Sequence, residues 1–328
     1  MKAAVIEKQG GLDNLVYRDW PDPEARAGDI VVRVHAVGLN HLDIFVRRGM
    51  PGLPVPMPFI SGGDIAGVIE ATGNDVTGWS AGDRVVLNPS SDEGMLGETL
   101  PGGMAELVRT RASQAIKLPD DVSFEQAACL PVAYGTAWRM LRERTTVRAG
   151  EIVLILGASG GVGTACVQIA KSQGARVIAC TSSKAKAEKL TALGADFVID
   201  TSESDFSREA WRIAKELGQK GVDVVVNYTG GDTWVPSLKT LRHRGRILTC
   251  GATAGFDPPT DLRYIWVREL EIKGSDGWST EDIALLVAEV AASRVEPVID
   301  CVLPLSRARE AERRLEERKV FGKVILTP

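Results

Sequence analysis

A strand, a glycine-rich turn and a helix follow one another between Glu151 and Gly174, and this succession constrains the fold strongly. Residues 152–156 (IVLIL) form an unbroken apolar run rich in β-branched side chains, as expected of a strand buried on both faces in a parallel sheet. Residues 157–163 (GASGGVG) end the run, and apolar or small residues then recur at helical spacing up to Gly174. This order is the context that a dinucleotide-binding unit requires.

The composition of the turn suits a pyrophosphate. Glycines let the backbone approach phosphates, and the first turn of the following helix offers unpaired N–H groups and the positive end of its dipole. The same glycines could serve only a tight corner, but the strand before them and the helix after them favour nucleotide binding. The predicted cofactor-binding residues of the turn are Gly157, Ala158, Ser159, Gly160, Gly161, Val162 and Gly163.

Composition limits the classes of function. The 328 residues suggest two domains, and 44% hydrophobic with 25% charged residues is ordinary for a globular protein. A net charge of −4 without a basic cluster argues against binding of nucleic acid. No apolar run approaches the ~20 residues of a membrane span. Five scattered cysteines and an N-terminus unlike a signal peptide predict a cytoplasmic protein without disulfides, and three histidines disfavour a histidine-rich metal site.

The pattern of strands and helices predicts an α/β protein. Residues 1–124 carry short strand signals broken by turns, which indicates a barrel-like β domain. Strands and helices alternate over residues 125–278, as in a doubly wound parallel sheet, and residues 279–328 are expected to fold back onto the first domain. Two loops could border a ligand cleft: the proline-rich residues 47–58, and residues 88–104, which are glycine-rich and expected to be flexible.

The end of the second strand of this sheet indicates which dinucleotide is bound. An acidic residue there would accept a hydrogen bond from the adenosine ribose and select NAD, but the sequence has hydroxyls and lysines instead. Such groups suit a phosphate dianion, so NADP(H) is predicted over NAD(H), although the lysines could simply be solvated surface. The residues concerned are Thr181, Ser182, Ser183 and Lys184.

Four motifs together resemble one family: residues 36–43 (AVGLNHLD), 62–67 (GGDIAG), the turn at 157–163 and residues 321–326 (FGKVIL). Over essentially its whole length the chain resembles the medium-chain dehydrogenase/reductases, in particular the zinc-free quinone oxidoreductase and zeta-crystallin-like branch. The resemblance implies a GroES-like β-barrel catalytic domain with a Rossmann dinucleotide-binding domain. It also implies a homodimer that pairs through the edge strand of the nucleotide sheet, here expected near residues 245–252.

The resemblance also bears on zinc. The positions where zinc-dependent relatives hold a catalytic metal are Asn40, Gly63 and Val132 here, and none offers a good zinc ligand. The proton-relay positions of those relatives appear as Leu42 and Phe45. We therefore predict no zinc.

The resemblance and the strand ends supply further candidate residues. Asn40 is the candidate for orienting a substrate carbonyl, and Asp64 and Tyr134 could supply or relay a proton, with a structural acceptor and a packing role as their alternatives. His35, in an apolar strand, is expected in the core, and His243 at the surface. The remaining predicted cofactor-binding residues are Thr136 at the nicotinamide carboxamide, His41 and Lys323 at the pyrophosphate, and Thr229, Gly251, Ala252, Ser275 and Asp276 at the nucleotide edge of the sheet.

The absence of a zinc ligand set favours particular substrates. Reducing a simple carbonyl produces an alkoxide, whose conjugate acid has a pKa near that of water, about 16, so a Lewis acid or strong proton donor is needed. A quinone or an α,β-unsaturated carbonyl gives a phenolate or an enolate, and a phenol has a pKa of only ~10. The sequence predicts a zinc-independent, NADPH-dependent oxidoreductase acting on quinones or enones. The alternatives are a zinc-free alcohol or carbonyl dehydrogenase and a low-turnover NADPH-binding protein.

Overall fold

The computed structural model describes residues 1–50 and 52–328, so that Pro51, part of the 47–58 loop, lies outside the described residues. The strands are, in chain order, β1 Lys2–Ile6, β2 Leu15–Asp19, β3 Asp29–Gly38, β4 Phe59–Ile60, β5 Asp64–Thr72, β6 Arg84–Leu87, β7 Ser90–Ser91, β8 Gly94–Met95, β9 Leu107–Arg111, β10 Ala115–Lys117, β11 Ile152–Ile155, β12 Arg176–Thr181, β13 Phe197–Asp200, β14 Val222–Val226, β15 Leu241–Thr249, β16 Glu271–Gly274, β17 Ile299–Pro304 and β18 Lys323–Thr327.

The helices connect these strands, and the segments before β11 include two stretches of wider, π-type turns at Leu130–Tyr134 and Arg139–Arg144. The α-helices are α1 His41–Arg48, α2 Phe124–Ala127, α3 Gly135–Trp138, α4 Gly161–Ser172, α5 Lys184–Ala192, α6 Phe206–Glu216, α7 Trp234–Thr240, α8 Leu262–Arg268, α9 Thr280–Ala291 and α10 Ala308–Glu316. Within residues 1–50 and 52–328, no helix combines the length and the apolar character needed to cross a bilayer.

The chain forms two compact units. Unit 1 comprises Met1–Gly135 and Ser279–Pro328, and unit 2 comprises Thr136–Trp278. Each unit has its own hydrophobic core, built on its own strands.

Unit 2 is a parallel, doubly wound sheet, as predicted. Its strand order is β13-β12-β11-β14-β15-β16, and every neighbouring pair is parallel. The four residues of β11 are all buried, which explains why residues 152–155 read as a continuous apolar run. The expectation that residues 245–252 form the sheet edge is wrong. Residues 246–249 of β15 pair with β16, so β16 is the edge strand.

Unit 1 has the predicted GroES-like architecture, with strands in two main sheets. One sheet has the order β10-β6-β5-β3-β18-β17, with β9 also on β3, and the other has the order β2-β1-β4. No closed barrel is formed among the described residues, because β10 and β17, at the two ends of the larger sheet, do not pair with each other. In this sheet β18 pairs with β3 and β17, which brings residue 323 into the unit that contains residue 40.

The glycine-rich stretch 88–104 is packed, contrary to the expectation of a flexible loop. It contains the short hairpin β7–β8, and Leu96 and Met104 are 2% and 0% exposed within the core of unit 1. Gly97 and Gly102 therefore allow backbone to pack closely against backbone, and a sequence pattern alone does not separate this role from flexibility.

Candidate functional site

In unit 2 the glycine turn joins β11 to α4. A side chain on Gly163 would place its Cβ 2.5 Å from the carbonyl oxygen of Gly157 and 2.6 Å from Ala158, so only glycine fits there. Gly157 itself has φ of +61°, a conformation that favours glycine. At the N-cap of α4, Gly160 has no side chain with which to accept a hydrogen bond from the first turn. The backbone N–H groups of that turn are therefore available to an anion.

Tyr228, which the sequence reasoning missed, lies against this turn. Its hydroxyl donates a 2.8 Å hydrogen bond to the carbonyl of Gly157. The residue follows β14, as Thr229 does, and that position at a strand end was the available signal. Burial raises the pKa of the Tyr228 phenol well above its ordinary value, so the hydroxyl is a neutral hydrogen-bond donor at physiological pH.

The predicted ribose-phosphate residues lie at the junction of β12 and α5. Thr181 is 4% exposed, and its Oγ1 is buried with no partner in the described part of the chain. Ser183 is the N-cap of α5, and Ser182 and Lys184 are exposed. Within the residues described, Lys184 forms no ion pair. Asp200 pairs with Thr181 in the neighbouring strand, and its Oδ1 accepts hydrogen bonds from Ser202.

A cavity of about 550 Å³ lies at the carboxyl ends of β15 and β16. It brings together three of the predicted residues, Gly251, Ser275 and Asp276, and the Ser275 hydroxyl is buried without a partner in the chain as described. Arg139 and Arg144 also line this cavity, and no sequence motif had indicated them. Thr136, Thr229 and Ala252 are not among its lining residues.

These features fit a dinucleotide. The absence of a side chain at residue 163 lets α4 start close to the turn, and hydroxyls without partners in the described chain end β12 and follow β16. In open α/β sheets, ligands bind outside the carboxyl ends of the strands, where all these groups lie. The residues of the turn, with Thr181, Ser182, Ser183, Lys184, Gly251 and Ser275, would hold the cofactor.

In unit 1, sheet register brings three polar side chains together. The end of β3 at Gly38 pairs with Asp64 of β5 on one side and with Ile325 of β18 on the other. Asn40 follows two residues after Gly38 as the N-cap of α1, and Lys323 begins β18. The Gly38 position excludes a side chain, because a Cβ there would lie 1.9 Å from the carbonyl of Ala128. These packing constraints place Asn40, Asp64 and Lys323 in one cluster.

The cluster is closely hydrogen-bonded. The Lys323 ammonium donates to the Leu39 carbonyl at 2.8 Å, to Asn40 Oδ1 at 2.7 Å and to Asp64 Oδ2 at 2.8 Å. Asn40 Nδ2 donates to Asp64 Oδ2 at 2.9 Å, and the backbone N–H of Val132 donates to Asp64 Oδ1 at 2.7 Å. Lys323 and Asp64 form an ion pair with side chains 2% and 0% exposed.

This arrangement bears on the predicted roles. Asp64 accepts three hydrogen bonds, which agrees with the alternative that it is a structural acceptor. Lys323 points its ammonium into the cluster. Tyr134 is fully buried and its hydroxyl accepts a bond from the N–H of Val298. Asn40 alone of these four is half-buried, and thus the best placed to contact a substrate. Its role, like those of Asp64, Tyr134 and Lys323, stays a prediction.

Asp43 supports the same region and was not among the predicted residues. It is 2% exposed and accepts hydrogen bonds from the hydroxyl of Ser61, the N–H of Gly62 and the N–H of Asn40, at 2.7, 2.9 and 2.7 Å. Burial raises the pKa of Asp43 despite these bonds. The capping box formed by residues 40 and 43 was the available sequence signal, and it fixes the backbone from which the Asn40 amide extends.

The backbone around Gly63 is closely packed. A Cβ on Gly63 would lie 2.9 Å from the carbonyl oxygen of Leu96, and one on Gly97 would lie 2.6 Å from the carbonyl carbon of Gly62. A Cβ on Gly102 would lie 2.4 Å from the Gly62 carbonyl oxygen. We call residues 62, 63, 97, 102 and 103 the glycine cluster, because each excludes a side chain through contacts shorter than 3.0 Å.

The donor set does not fit zinc. Asn40 is engaged by Lys323 and Asp64, Gly63 has no side chain, and residue 132 is a valine. Zinc sites in proteins use cysteine, histidine and carboxylate ligands. Across residues 1–50 and 52–328, no group of three or more such side chains is placed to share a metal ion.

The three histidines lie at the surface. His41, at the start of α1, is exposed, and its ring lies 6.4 Å from that of Phe45. His243 is exposed as expected. The expectation that His35 lies in the core is wrong. His35 is exposed on the same face of β3 as Arg33, and it stacks on Phe124 with 4.4 Å between ring centroids.

Comparison with known proteins decides the family. The model of the alcohol dehydrogenase GroES-like domain matches residues 26–120, and that of the zinc-binding dehydrogenases matches residues 161–292. A quinone oxidoreductase of Sus scrofa is 31% identical over 334 residues, which are 99% of this chain and 97% of that protein. The chain belongs to the medium-chain dehydrogenase/reductase superfamily, in its quinone oxidoreductase-like branch.

Two further relatives support this membership of the medium-chain dehydrogenase/reductases. An acryloyl-coenzyme A reductase of Sulfurisphaera tokodaii is 30% identical over the full length of both chains. The crystal structure of an NAD-dependent alcohol dehydrogenase is 36% identical, with a TM-score of 0.94 and full coverage of both chains. The protein is therefore an oxidoreductase of an NAD(P)-dependent family.

Proposed function

We propose that this protein is a zinc-independent, NADPH-dependent reductase of quinones or α,β-unsaturated carbonyls. The observation that carries the proposal is the Asn40–Asp64–Lys323 cluster. It places an ion pair and an amide in the region where zinc-dependent relatives bind their metal. The names of two relatives, a quinone oxidoreductase and an acryloyl-coenzyme A reductase, agree with acceptors of this class.

The chemistry follows from the charge that the reaction creates. NADPH, when bound, supplies the hydride. The Asn40 amide then donates a hydrogen bond to the oxygen on which negative charge develops, and the phenolate or enolate takes its proton from solvent. A single positioned donor contributes substantially to stabilising such an oxyanion, about 2.7–4 kcal/mol where it has been removed from an enzyme. The buried polar cluster behind Asn40 keeps the amide in place.

The test is a substrate panel with the purified protein. We expect rapid NADPH oxidation with benzoquinone, naphthoquinones and short enones, and negligible NADP-linked oxidation of simple alcohols. Faster turnover of alcohols than of quinones would assign the protein to the alcohol dehydrogenases instead. Tight NADPH binding without turnover of any acceptor would identify a low-turnover binding protein.

Zinc independence has its own measurement. After incubation with zinc and dialysis into metal-free buffer, we expect the protein to retain less than one zinc ion per chain. Strong chelators should leave the rate of quinone reduction unchanged. The physical reason is that Asn40, Gly63 and Val132 offer no thiolate, imidazole or carboxylate, and that the nearby Asp64 carboxylate is already bonded to Asn40 and Lys323. One bound zinc per chain together with inactivation by a chelator would disprove this part of the proposal.

We also propose a homodimer that forms through β16. This strand is the edge of the sheet in unit 2, and its side chains Glu271, Ile272 and Lys273 present alternating charge and apolar surface. Antiparallel pairing of two copies about Ile272 would place Glu271 of one copy opposite Lys273 of the other, and an unpaired edge strand offers its backbone groups for such pairing.

A further inference from the structure

The ammonium of Lys323 has used all of its hydrogen-bonding capacity inside unit 1. An ammonium has three N–H donors, and here they reach the Leu39 carbonyl, Asn40 Oδ1 and Asp64 Oδ2 within 2.7–2.8 Å. The side chain is 2% exposed. In this arrangement Lys323 has no donor left for a phosphate or a substrate, so any part it takes in the reaction passes through a neighbour.

The neighbour with remaining capacity is Asn40. A carboxamide can sit in either of two orientations, which exchange its oxygen and its nitrogen. The observed neighbours select one of them, because Oδ1 receives the Lys323 ammonium and Nδ2 donates to the Asp64 carboxylate. The flipped amide would set oxygen against the carboxylate and N–H against the ammonium, and both contacts would be repulsive.

The selected orientation leaves a donor available. Nδ2 has two hydrogens, of which one reaches Asp64 at 2.9 Å, while the other contact, with the Gly38 carbonyl, is 3.4 Å long and at the limit of a hydrogen bond. The adjacent ammonium, 2.7 Å from Oδ1, draws electron density toward the oxygen and strengthens the remaining N–H as a donor.

We propose that Lys323 is a positioning residue that holds the Asn40 amide so that its second N–H, which is bonded only weakly to the Gly38 carbonyl, donates to the substrate oxygen. This inference rests on the proposed function, in which Asn40 is the donor to the developing oxyanion. Lys323 thus supplies, through an amide, part of the polarisation that a metal supplies in zinc-dependent relatives. It takes this role instead of the pyrophosphate contact that the sequence predicts.

A double-mutant cycle tests the proposal. Lys323→Met keeps a straight apolar side chain and removes the ammonium, and Asn40→Ala removes the amide. We expect each single variant to lower kcat for a naphthoquinone ten- to a hundredfold, with KM for NADPH changed less than twofold. The variant with both substitutions should be no slower than Asn40→Ala, because Lys323 acts only through Asn40. Multiplied losses, or a tenfold rise in KM for NADPH with unchanged kcat, would overturn the assignment.

Two additions keep the test informative. Lys319→Met removes an exposed ammonium four residues earlier and should leave kcat unchanged. If Lys323→Met alone does not fold because Asp64 is left unpaired, Asp64→Asn combined with Lys323→Met removes both charges, and the same loss of kcat is expected. A wild-type rate from this neutral pair would refute the positioning role.

Two measurements separate this proposal from the proposed function. Titration of NADPH by fluorescence needs no turnover, and the affinity of Lys323→Met should stay within twofold of the wild type. The same cycle measured in thermal unfolding midpoints should be non-additive, since the two side chains are in contact. If the wild type reduces no quinone or enone, the proposed function fails. Additive midpoints or weakened NADPH binding would instead refute the link between Lys323 and Asn40.

Discussion

Gly163 is a residue where close backbone packing excludes a side chain and where we also predict contact with the cofactor. Its Cβ would meet the backbone of Gly157 and Ala158 at 2.5–2.6 Å, so Gly163→Ala must push α4 away from the turn. We expect a loss of about 1–3 kcal/mol in the free energy of unfolding, with weakened NADPH binding. Thermal unfolding and fluorescence titration measure the two effects.

Gly160→Ala is the matched control for this prediction. Its Cβ would lie 3.6 Å from the nearest atom, and φ is −82°, so alanine fits the apo fold. We expect its unfolding midpoint to stay close to that of the wild type. Equal destabilisation by the two substitutions would contradict the packing argument.

Lys184 is the residue on which the choice between NADP and NAD is best tested. It is exposed at the start of α5, beside Ser183, without an ion pair among the residues described. Lys184→Glu should lower the ratio of kcat/KM for NADPH to that for NADH by about tenfold, because a carboxylate repels a 2′-phosphate. Steady-state kinetics with both cofactors measure this ratio.

Lys215→Glu, which makes the same charge change at an exposed site in α6, should leave the ratio unchanged. Two observations favour NADH and make a direct comparison of the two cofactors necessary. One structural relative is an NAD-dependent alcohol dehydrogenase, and the carboxylate-bearing Asp200 pairs with Thr181 in the neighbouring strand. A wild-type preference for NADH would refute the assignment of NADPH.

What the sequence could predict at this scale differs from residue to residue. The glycine turn was predictable because its strand, turn and helix are contiguous. The partners of Lys323 were not, because Asp64 lies 259 positions away and only the register of β3, β5 and β18 joins them. The exposure of His35 could have been predicted from strand periodicity. Arg33 and His35 lie on one face of β3, and the buried Val34 lies on the other.

Among the elements, α1 and α10 are joined by a buried ion pair whose energy depends on pH. Arg47 and Glu312 are 1% and 0% exposed, and the Arg47 Nε donates to Glu312 at 2.6 Å. Burial raises the pKa of Glu312 from 4.5 to about 7 even though the bond from Arg47 opposes this shift. Its other oxygen, Oε1, has no partner in the chain as described.

The sign of the pH dependence follows from this raised pKa. Between about 4.5 and 7 the folded state retains a proton that the unfolded state has lost, so the free energy of unfolding falls as pH rises through this range. One pKa unit corresponds to about 1.4 kcal/mol, which puts the whole effect on the order of 3 kcal/mol. Glu312→Gln should flatten the dependence of stability on pH, as measured by denaturant unfolding from pH 4.5 to 8.

Glu310→Gln removes the same charge from a more exposed position of α10, next to Arg307, and serves as the control. We expect it to keep the wild-type pH dependence of stability. If Glu312→Gln also keeps that dependence, proton binding at Glu312 does not contribute to it.

Most elements were predictable from periodicity and turn residues, and the exceptions have physical reasons. The order of strands in a parallel sheet depends on crossover packing, which is why the edge was expected at 245–252 and lies at β16. The stretch 88–104 contains glycines that read as flexible, yet they allow Leu96 and Met104 to enter the core. Local sequence does not distinguish a glycine that permits motion from one that permits contact.

At the scale of the whole molecule, assembly through β16 gives the remaining prediction. In the proposed antiparallel pairing Glu271 faces Lys273 of a second copy, so Glu271→Lys should oppose like charges twice per dimer. We expect the dissociation constant of the dimer to rise at least severalfold, with cross-strand pairs contributing about 0.2–1 kcal/mol each. Light scattering or sedimentation over a range of concentrations measures this constant.

Glu271→Lys combined with Lys273→Glu exchanges the two charges and should restore dimerisation. Rescue by the double substitution distinguishes pairing across copies from a simple requirement for Glu271. A monomeric wild-type protein would contradict assembly through β16. So would equal dimer dissociation constants for Glu271→Lys and for the double variant.

The glycine cluster limits which substitutions unit 1 can accept. The Cβ of any side chain on Gly63, including that of a metal-binding histidine, would lie 2.9 Å from the Leu96 carbonyl oxygen. Adding a ligand there requires the main chain near residue 96 to withdraw first, and that movement by itself disrupts a packed core. A single substitution at residue 63 therefore cannot introduce a metal ligand at this position without disturbing the packing of unit 1.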